Sequence, residues 1–273
     1  MESLWLVNGE RKNVDPSDRG LAYGDGVFET MACRAGRIRW LDYHLDRLTH
    51  GCARLAIPTP DRSALRAEIE AHCPALEDAV VKLIVTRGSG ARGYAPPEPA
   101  KPTRILSIAP WSEPPAADYT RGIGLKTCAL RLGENPQLAG LKHLCRLEQV
   151  LARMELVGTS AQEGLVRSSG GFVVGGISSN VFAVRGGRLL TPRLTRCGVH
   201  GVMRRVVLEQ AARAGLEAIE ADIDLPTLLD ADELFVTNAL FGIKPVSRVD
   251  ACVFSVGPRT QALMRLLGYG PNA

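Results

Sequence analysis

The chain has 273 residues, of which 45% are hydrophobic and 23% are charged, and its formal net charge is +4. This length can bury the core of one large domain or two medium ones, and the small, dispersed charge argues against a nucleic-acid partner. No apolar run reaches the length of a membrane span and the N-terminal segment turns polar too early for a secretory signal, so we expect a cytoplasmic protein without membrane attachment.

Residues 1–110 are predicted to form a small N-terminal α+β domain. Its strand signals are separated by Asn-Gly and Ala-Gly turns, as in antiparallel hairpins, whereas leucines at helical spacing predict two helices. The predicted strands are residues 4–7, 27–33, 37–40, 79–86 and 103–108, and the predicted helices are residues 41–55 and 64–73.

Residues 111–118 are predicted to be a linker, because the adjacent prolines Pro114 and Pro115 can neither continue a helix nor donate to a sheet. A larger, strand-rich C-terminal domain is predicted over residues 119–273. Its predicted strands lie at 124–128, within 164–191, at 217–221 and at 234–237, and its predicted helices lie after Lys142, at 203–214 and at 260–267. Across the chain, seven cysteines without a C-x-x-C pair favour reduced thiols and no structural metal.

Lys142 is predicted to lie where a loop meets a helix. Pro136 and Gly140 mark the loop, and the leucines that follow recur at helical spacing, so one face of the helix is expected to be buried. A lysine at the edge of a pocket can form a Schiff base, because an amine partly removed from water loses proton affinity and becomes nucleophilic. A solvated lysine at a helix start is the alternative for this residue taken alone.

A phosphate site is predicted at the glycine turn of residues 198–201, which precedes the helix that starts near Met203. The backbone N–H groups of such a turn and the positive end of the helix dipole favour an anion. Arg47, on the same predicted helix as His44, is a candidate guanidinium for this phosphate. An ordinary glycine turn and a surface ion pair are the alternatives for these two features.

Five motifs together resemble the fold type IV pyridoxal phosphate enzymes, and their order and spacing match over nearly the whole chain. They are SDRGLAYGDGVFET (residues 17–30), HLDRL (44–48), TRGSGARGY (86–94), the segment around Lys142 and GVHGVMR (198–204). Within that class, NPQLAGLKHLCRLEQV (135–150), with residues 103–107 and 237–240, is most similar to the aminodeoxychorismate lyases. Branched-chain aminotransferases usually carry an Asn-Tyr pair where this chain has Cys145-Arg146.

The resemblance implies a two-domain α+β architecture and a pyridoxal 5'-phosphate cofactor. It makes Lys142 the lysine that bonds to the cofactor and shuttles protons. The other residues that it places around the cofactor are Arg47 and the backbone of Val202 and Met203, which would hold the phosphate, and Asn238. Similar enzymes are homodimers, so the resemblance also implies a second copy of the chain as partner.

The resemblance further implies that Arg92, Tyr94 and Arg104 contact a dicarboxylate substrate. Arginines bind carboxylates bidentately, although they are also common on surfaces. The implied reaction converts 4-amino-4-deoxychorismate to 4-aminobenzoate and pyruvate in folate biosynthesis. The alternatives are an aminotransferase for D-amino or branched-chain acids and a cofactor-binding protein with little turnover.

The resemblance fails at one position of the expected cofactor site. These enzymes usually carry a glutamate before an Asn-Leu-Phe or Asn-Val-Phe sequence, and its carboxylate pairs with the pyridine nitrogen. Counting back from Asn180 places Gly175 there, and the nearest acid upstream, Glu163, does not fit the motif. Because glycine cannot keep this nitrogen protonated, the cofactor is expected to be a poorer electron sink, which should impair transamination more than a lyase reaction driven by aromatisation. A simple bulge at Gly175-Gly176, where backbone approaches a ligand, is the alternative.

Overall fold

The computed structural model describes residues 3–73 and 78–270, and the chain divides into two compact units. Unit 1 comprises Met1–Ser112 with Leu141–Cys145, and unit 2 comprises Glu113–Gly140 with Arg146–Ala273. The stretch Leu141–Cys145 thus groups with unit 1, whereas the sequence-based division assigned it to residues 119–273. The reason is that its backbone hydrogen-bonds a strand of unit 1.

Unit 1 is a five-stranded antiparallel sheet with the strand order β1-β5-β4-β2-β3. Its strands are β1 (Leu4–Val7), β2 (Gly26–Arg34), β3 (Arg37–Ile38), β4 (Asp78–Thr86) and β5 (Thr103–Pro110), and its helices are α1 (Arg19–Tyr23), α2 (Leu41–Arg54) and α3 (Arg62–Glu70). Alternate residues of the strands enter a core shared with α2 and α3, since successive side chains of a strand point to opposite faces. The same alternation places Phe28 and Thr30 of β2 and Lys82 of β4 on the opposite face of the sheet.

The five predicted strands and two predicted helices of unit 1 are confirmed, with shifted boundaries. Strand β3 is shorter than predicted, because Trp40 adopts a φ of +60° directly before α2. The short helix α1 was missed. Its start is fixed by Asp18, whose side chain accepts a hydrogen bond from the Gly20 N–H.

Unit 2 is built on a nine-stranded mixed sheet, in which β11-β10-β9-β12-β13-β6-β7-β8 are neighbours in that order and β14 pairs with β13. Its core includes two clusters of buried apolar side chains, packed around the strands of the sheet. The strands are β6 (Ile123–Leu132), β7 (Glu163–Ser168), β8 (Val173–Gly176), β9 (Asn180–Arg185), β10 (Arg188–Pro192), β11 (Glu217–Ala221), β12 (Glu233–Asn238), β13 (Gly242–Val249) and β14 (Cys252–Val253). The helices are α4 (Ala116–Thr120), α5 (Leu147–Met154), α6 (Val202–Gln210), α7 (Leu225–Leu229) and α8 (Pro258–Leu266), and a 3-10 turn covers Ala211–Ala214.

Strand β13 was missed by the sequence-based prediction although it lies between β12 and β6. It contains Pro245, which normally argues against a central strand. Pro245 lies opposite Phe235 of β12, but the pairing with β6 begins only at Val246. The missing N–H of the proline therefore interrupts no hydrogen bond to β6.

Candidate active site

The Lys142 segment lies alongside the first residues of β2. The Phe28 N–H donates to the Lys142 carbonyl and the Leu144 N–H donates to the Gly26 carbonyl, each at 3.0 Å. Helix α5 begins only at Leu147. The predicted helix start at Lys142 is therefore wrong, because pairing with β2 keeps the segment extended.

Two glycines of the GDG motif make this close approach possible. A Cβ atom at Gly26 would lie 2.6 Å from the Val85 carbonyl oxygen and 2.8 Å from Leu144 Cδ1. At Gly24, whose φ is +67°, a Cβ atom would lie 2.5 Å from Cys145 Sγ. Any larger residue at these positions would push the lysine segment away from β2.

The Lys142 ammonium lies 4.1 Å from the centroid of the Phe28 ring, and Phe28 is on the face of β2 opposite the core. A second ammonium, that of Lys82, lies 5.1 Å from the same centroid. Thr30 pairs directly with Lys82 across the two strands and shares this face. The Lys82 cation and the Thr30 hydroxyl beside the Lys142 ammonium suit a substrate that carries carboxylates. The sequence motif of residues 17–30 contains Phe28 and Thr30 without indicating their role. Lys82 was missed, because only the strand register brings it beside β2.

On the core side of β2, Glu29, His44 and Arg47 form a buried network. Arg47 donates from Nε to Glu29 Oε1 at 2.8 Å and from Nη2 to Oε2, and His44 Nδ1 lies 2.6 Å from Oε2. Burial would raise the pKa of Glu29, but the Arg47 and His44 contacts outweigh it and lower that pKa to about 2. Arg47, predicted to bind phosphate, is thereby fixed by a carboxylate.

The His44 ring is completely buried, and its burial lowers its pKa more than the neighbouring Glu29 raises it. The neutral ring therefore donates from Nδ1 to Glu29 and presents Nε2 as an acceptor. Within the described part of the chain, Nε2 has no hydrogen-bond partner. Both His44 and Glu29 act here on the orientation of Arg47.

Arg92 and Tyr94 lie in the loop between β4 and β5, and both side chains are exposed. Arg104 does not join them. Its Nε donates to Glu68 of α3 at 3.0 Å, and it shares a face of β5 with the core residue Leu106. Strand alternation thus separates Arg104 from the face of the sheet that carries Phe28 and Lys82.

The predicted phosphate turn leads into α6, which begins at Val202 after the extended residue Gly201. Gly201 has no capping side chain, and the first N–H groups of a helix, including those of Val202 and Met203, have no intrahelical acceptor. Asn180 Nδ2 donates to the Val199 carbonyl at 2.9 Å, and a Cβ at Gly201 would lie 2.0 Å from Asn180 Oδ1. Asn180 therefore holds the turn, whose backbone fits a phosphate group.

Gly175 lies in β8, where a Cβ atom would be 2.7 Å from the Ser179 carbonyl oxygen. Glu163 does not replace the absent carboxylate. Its Oε2 accepts hydrogen bonds from the Ser178 hydroxyl at 2.7 Å and the Ser179 hydroxyl at 3.2 Å, and its Cγ lies 3.1 Å from the Cβ position of Gly176. Since Gly176 faces the opposite side of β8 from Gly175, Glu163 lies on the other side.

Asn238 ends β12 and caps the turn after it, accepting from the Leu240 and Phe241 N–H groups at 2.9 Å. The preceding residue, Thr237, pairs with Asn180 and is buried. Its hydroxyl has no hydrogen-bond partner among the residues that the structure describes. An orphaned hydroxyl beside the phosphate turn fits a polar ligand in unit 2.

The remaining site predictions concern metal, thiols and membrane. All seven cysteines are free thiols. Over residues 3–73 and 78–270, no group of three or more His, Cys, Asp or Glu side chains could hold a metal ion. Over the same residues, no helix combines the length and the hydropathy required to cross a bilayer.

Comparison with known proteins gives concordant matches over nearly the whole chain. The model of the amino-transferase class IV family matches residues 26–249. Aminodeoxychorismate lyase of Vibrio harveyi is 37% identical over 95% of this chain and 98% of its own length, and a putative branched-chain-amino-acid aminotransferase of Methanocaldococcus jannaschii is 33% identical over 94% and 91%. The crystal structure of 4-amino-4-deoxychorismate lyase from Pseudomonas aeruginosa superimposes with a TM-score of 0.93 at 50% identity, over 97% of this chain and 98% of that one. These matches confirm the predicted α+β fold and the predicted resemblance.

Proposed function

Because the chain belongs to the amino-transferase class IV family, we propose that it is a pyridoxal phosphate-dependent lyase that converts 4-amino-4-deoxychorismate to 4-aminobenzoate and pyruvate. Two relatives named for this activity, at 37% and 50% identity, support the assignment. The observation that carries it is the placement of Lys142, whose segment is bonded to β2 and whose ammonium lies against Phe28. The product 4-aminobenzoate assigns the step to folate biosynthesis.

We assign the cofactor contacts as follows. Lys142 would bond to the cofactor, Arg47 and the backbone N–H groups of Val202 and Met203 would hold its phosphate, and Asn238 and Gly175 would lie beside it. Pyridoxal phosphate, when bound, supplies an electron-withdrawing ring joined to the substrate amine. Support comes from the uncapped start of α6 and from the Glu29 carboxylate that orients Arg47.

In the reaction, Lys142 Nζ takes the proton from the ring carbon that bears the amine. The C–O bond at the adjacent ring carbon breaks, enolpyruvate leaves, and the ring becomes aromatic. A proton returned to the methylene carbon of enolpyruvate gives pyruvate. We assign Lys82, Arg92 and Tyr94 to the substrate, and the charged side chains of Lys82 and Arg92 would bind its carboxylates.

The test is release of 4-aminobenzoate from 4-amino-4-deoxychorismate by the purified protein with added pyridoxal phosphate. Lys142→Ala should abolish turnover and the absorption band of the lysine-bound cofactor. Lys12→Ala, which alters an exposed lysine of the same unit, is the matched control and should leave both unchanged. Full activity in Lys142→Ala would refute the assignment.

Transamination is the second candidate activity, favoured by the 33% identity to the putative branched-chain-amino-acid aminotransferase. It requires a keto-acid acceptor, which the lyase reaction does not. Incubation of the protein with D-alanine or L-leucine and 2-oxoglutarate, followed by glutamate measurement, separates the two activities. Because Gly175 offers no acid to the pyridine nitrogen, we expect the transaminase rate to be the lower one.

We further propose that the protein is a homodimer acting in the cytoplasm, where its free thiols stay reduced. The support for a second copy is an apolar surface on α5. Its exposed side chains follow helical spacing and continue into the next turn, and they are Leu147, Val150, Leu151, Met154 and Val157. Leu151→Glu should shift the protein to monomer in light-scattering chromatography, whereas Val253→Glu, at an equally apolar exposed position of β14, should not. A dimer that survives Leu151→Glu would exclude this surface.

A further inference from the structure

We propose that Arg19 is a positioning residue that shapes the loop carrying Arg92 and Tyr94 and sets this loop relative to Lys142. The proposal rests on the proposed lyase function, because it assigns those two exposed side chains to the substrate. Arg19 itself is buried and would touch neither substrate nor cofactor.

Arg19 binds three successive carbonyl groups of the loop. Its Nη1 donates to the carbonyls of Gly93 and Ala95 at 3.0 and 3.2 Å, and its Nη2 donates to that of Tyr94 at 3.0 Å. A guanidinium is suited to this task because its donors form a rigid planar fork. Three bonds from one buried cation fix the path of the backbone on both sides of Tyr94.

The surroundings of the loop are fitted to this guanidinium. A Cβ atom at Gly90 would lie 3.1 Å from Arg19 Cδ, so the glycine leaves room for the arginine stem. Arg19 also lies over the Tyr23 ring at 5.0 Å, and Tyr23 receives a hydrogen bond from the Gly93 N–H at its hydroxyl, at 3.1 Å. The Tyr23 and Tyr94 ring centroids are 5.4 Å apart. Arg19 and Tyr23 of helix α1 therefore hold the loop in place.

The loop needs such support because its own sequence provides little. Between Gly90 and Lys101 it has no helix or strand, and it contains three prolines, Pro96, Pro97 and Pro99, which donate no backbone hydrogen bond. Tyr94 is 85% exposed, so its side chain adds almost no burial to hold the loop. The hydrogen bonds from Arg19 thus order the loop, which has little side-chain packing of its own.

The same helix also connects to the lysine segment. Arg19 Nε donates to Asp25 at 2.9 Å, and Arg87, at the start of the loop, donates to the same carboxylate at 2.7 Å. Burial would raise the pKa of Asp25, but the Arg87 and Arg19 hydrogen bonds outweigh it and hold the pKa below its usual value. The next residues of β2 bond to the Lys142 segment. Hydrogen bonds from Arg19 to the Tyr94 carbonyl and from Arg19 to Asp25, followed by the peptide chain from Asp25 into β2, therefore connect the loop to the Lys142 segment.

The test compares Arg19→Lys and Arg19→Ala with Arg66→Lys, which changes an exposed arginine of α3. A lysine keeps the charge but cannot reach three carbonyls, so both Arg19 variants should raise KM for 4-amino-4-deoxychorismate by about tenfold or more, with kcat reduced far less. The absorption of the lysine-bound cofactor should be unchanged. Trypsin cleavage after Arg92 should become about tenfold faster, because the held backbone is released.

Several results would overturn the role of Arg19. One is a KM and a rate of cleavage after Arg92 that are both unchanged in Arg19→Lys. Because Arg19→Lys retains the charge, this variant decides the question even if Arg19→Ala does not fold. Another is equal loss of kcat and of cofactor absorption, which indicates general unfolding. Failure of the wild-type protein to release 4-aminobenzoate would refute the lyase function instead. In that case the cleavage rate, together with binding of chorismate as an unreactive dicarboxylate probe, still decides the role of Arg19.

Discussion

The buried carboxylate of Glu29 should make the free energy of unfolding of unit 1 fall at acidic pH. The substitution Glu29→Gln should remove this part of the pH dependence. Glu29 is 1% exposed and bonds to both Arg47 and His44. The amide of glutamine keeps the shape but not the charge. It would leave the Arg47 guanidinium without its counter-ion in a poorly solvated position.

The magnitude follows from the pKa of Glu29, which is about 2 in the folded protein against a usual value of 4.5. This difference corresponds to about 3 kcal/mol of stabilisation. Because the folded-state pKa is the lower one, the stabilisation is fully present above pH 4.5 and is lost as the pH falls towards 2.

Urea unfolding of the cofactor-free protein, followed by tryptophan fluorescence between pH 2 and pH 6, measures this effect. The difference in unfolding free energy between wild type and Glu29→Gln should shrink by about 3 kcal/mol from the top to the bottom of this range. Glu70→Gln, which changes an exposed carboxylate paired with Arg66, is the control and should follow the wild type. The reasoning would be refuted if the unfolding free energies of the wild type and Glu29→Gln differed by the same amount at every pH.

Three further outcomes are expected. Gly175→Glu should raise the rate of transamination more than the rate of the lyase reaction. Gly175→Ala is the control, because its Cβ meets the same Ser179 carbonyl at 2.7 Å without adding an acid, and it should lower stability by about 1–3 kcal/mol and raise neither rate. Equal rates in the two variants would contradict the role of the absent acid. Gly201→Ala should weaken pyridoxal phosphate binding about tenfold in a fluorescence titration, since its Cβ would displace Asn180 from the phosphate turn. Lys82→Met should raise KM for the substrate about tenfold while leaving the cofactor absorption intact, and an unchanged KM would remove Lys82 from the substrate site.

Local patterns in the sequence identified most of the secondary structure, and they failed where a distant segment decided the outcome. The leucines after Lys142 suggested a helix from that residue, but hydrogen bonds to Gly26 and Phe28 keep the segment extended. The same pattern suggested a buried helix face, yet Leu147 is 77% exposed. Periodicity reports which side chains share a face, and it does not report what covers that face.

The sequence by itself determined the fold class and the family, and it singled out Lys142 as the candidate Schiff-base lysine, because motif order and spacing over a whole chain restrict the possible families strongly. It also revealed the absence of an acid at Gly175. Only the tertiary structure placed Lys82 and Lys142 against the same Phe28 ring, put Arg104 on the opposite face of the sheet from Lys82 and bonded Arg19 to the loop between β4 and β5. These relations depend on strand register and on contacts between segments that are distant in the chain, such as Arg19 and Tyr94, which are 75 residues apart. No local pattern encodes such contacts, since they follow from how the whole chain packs.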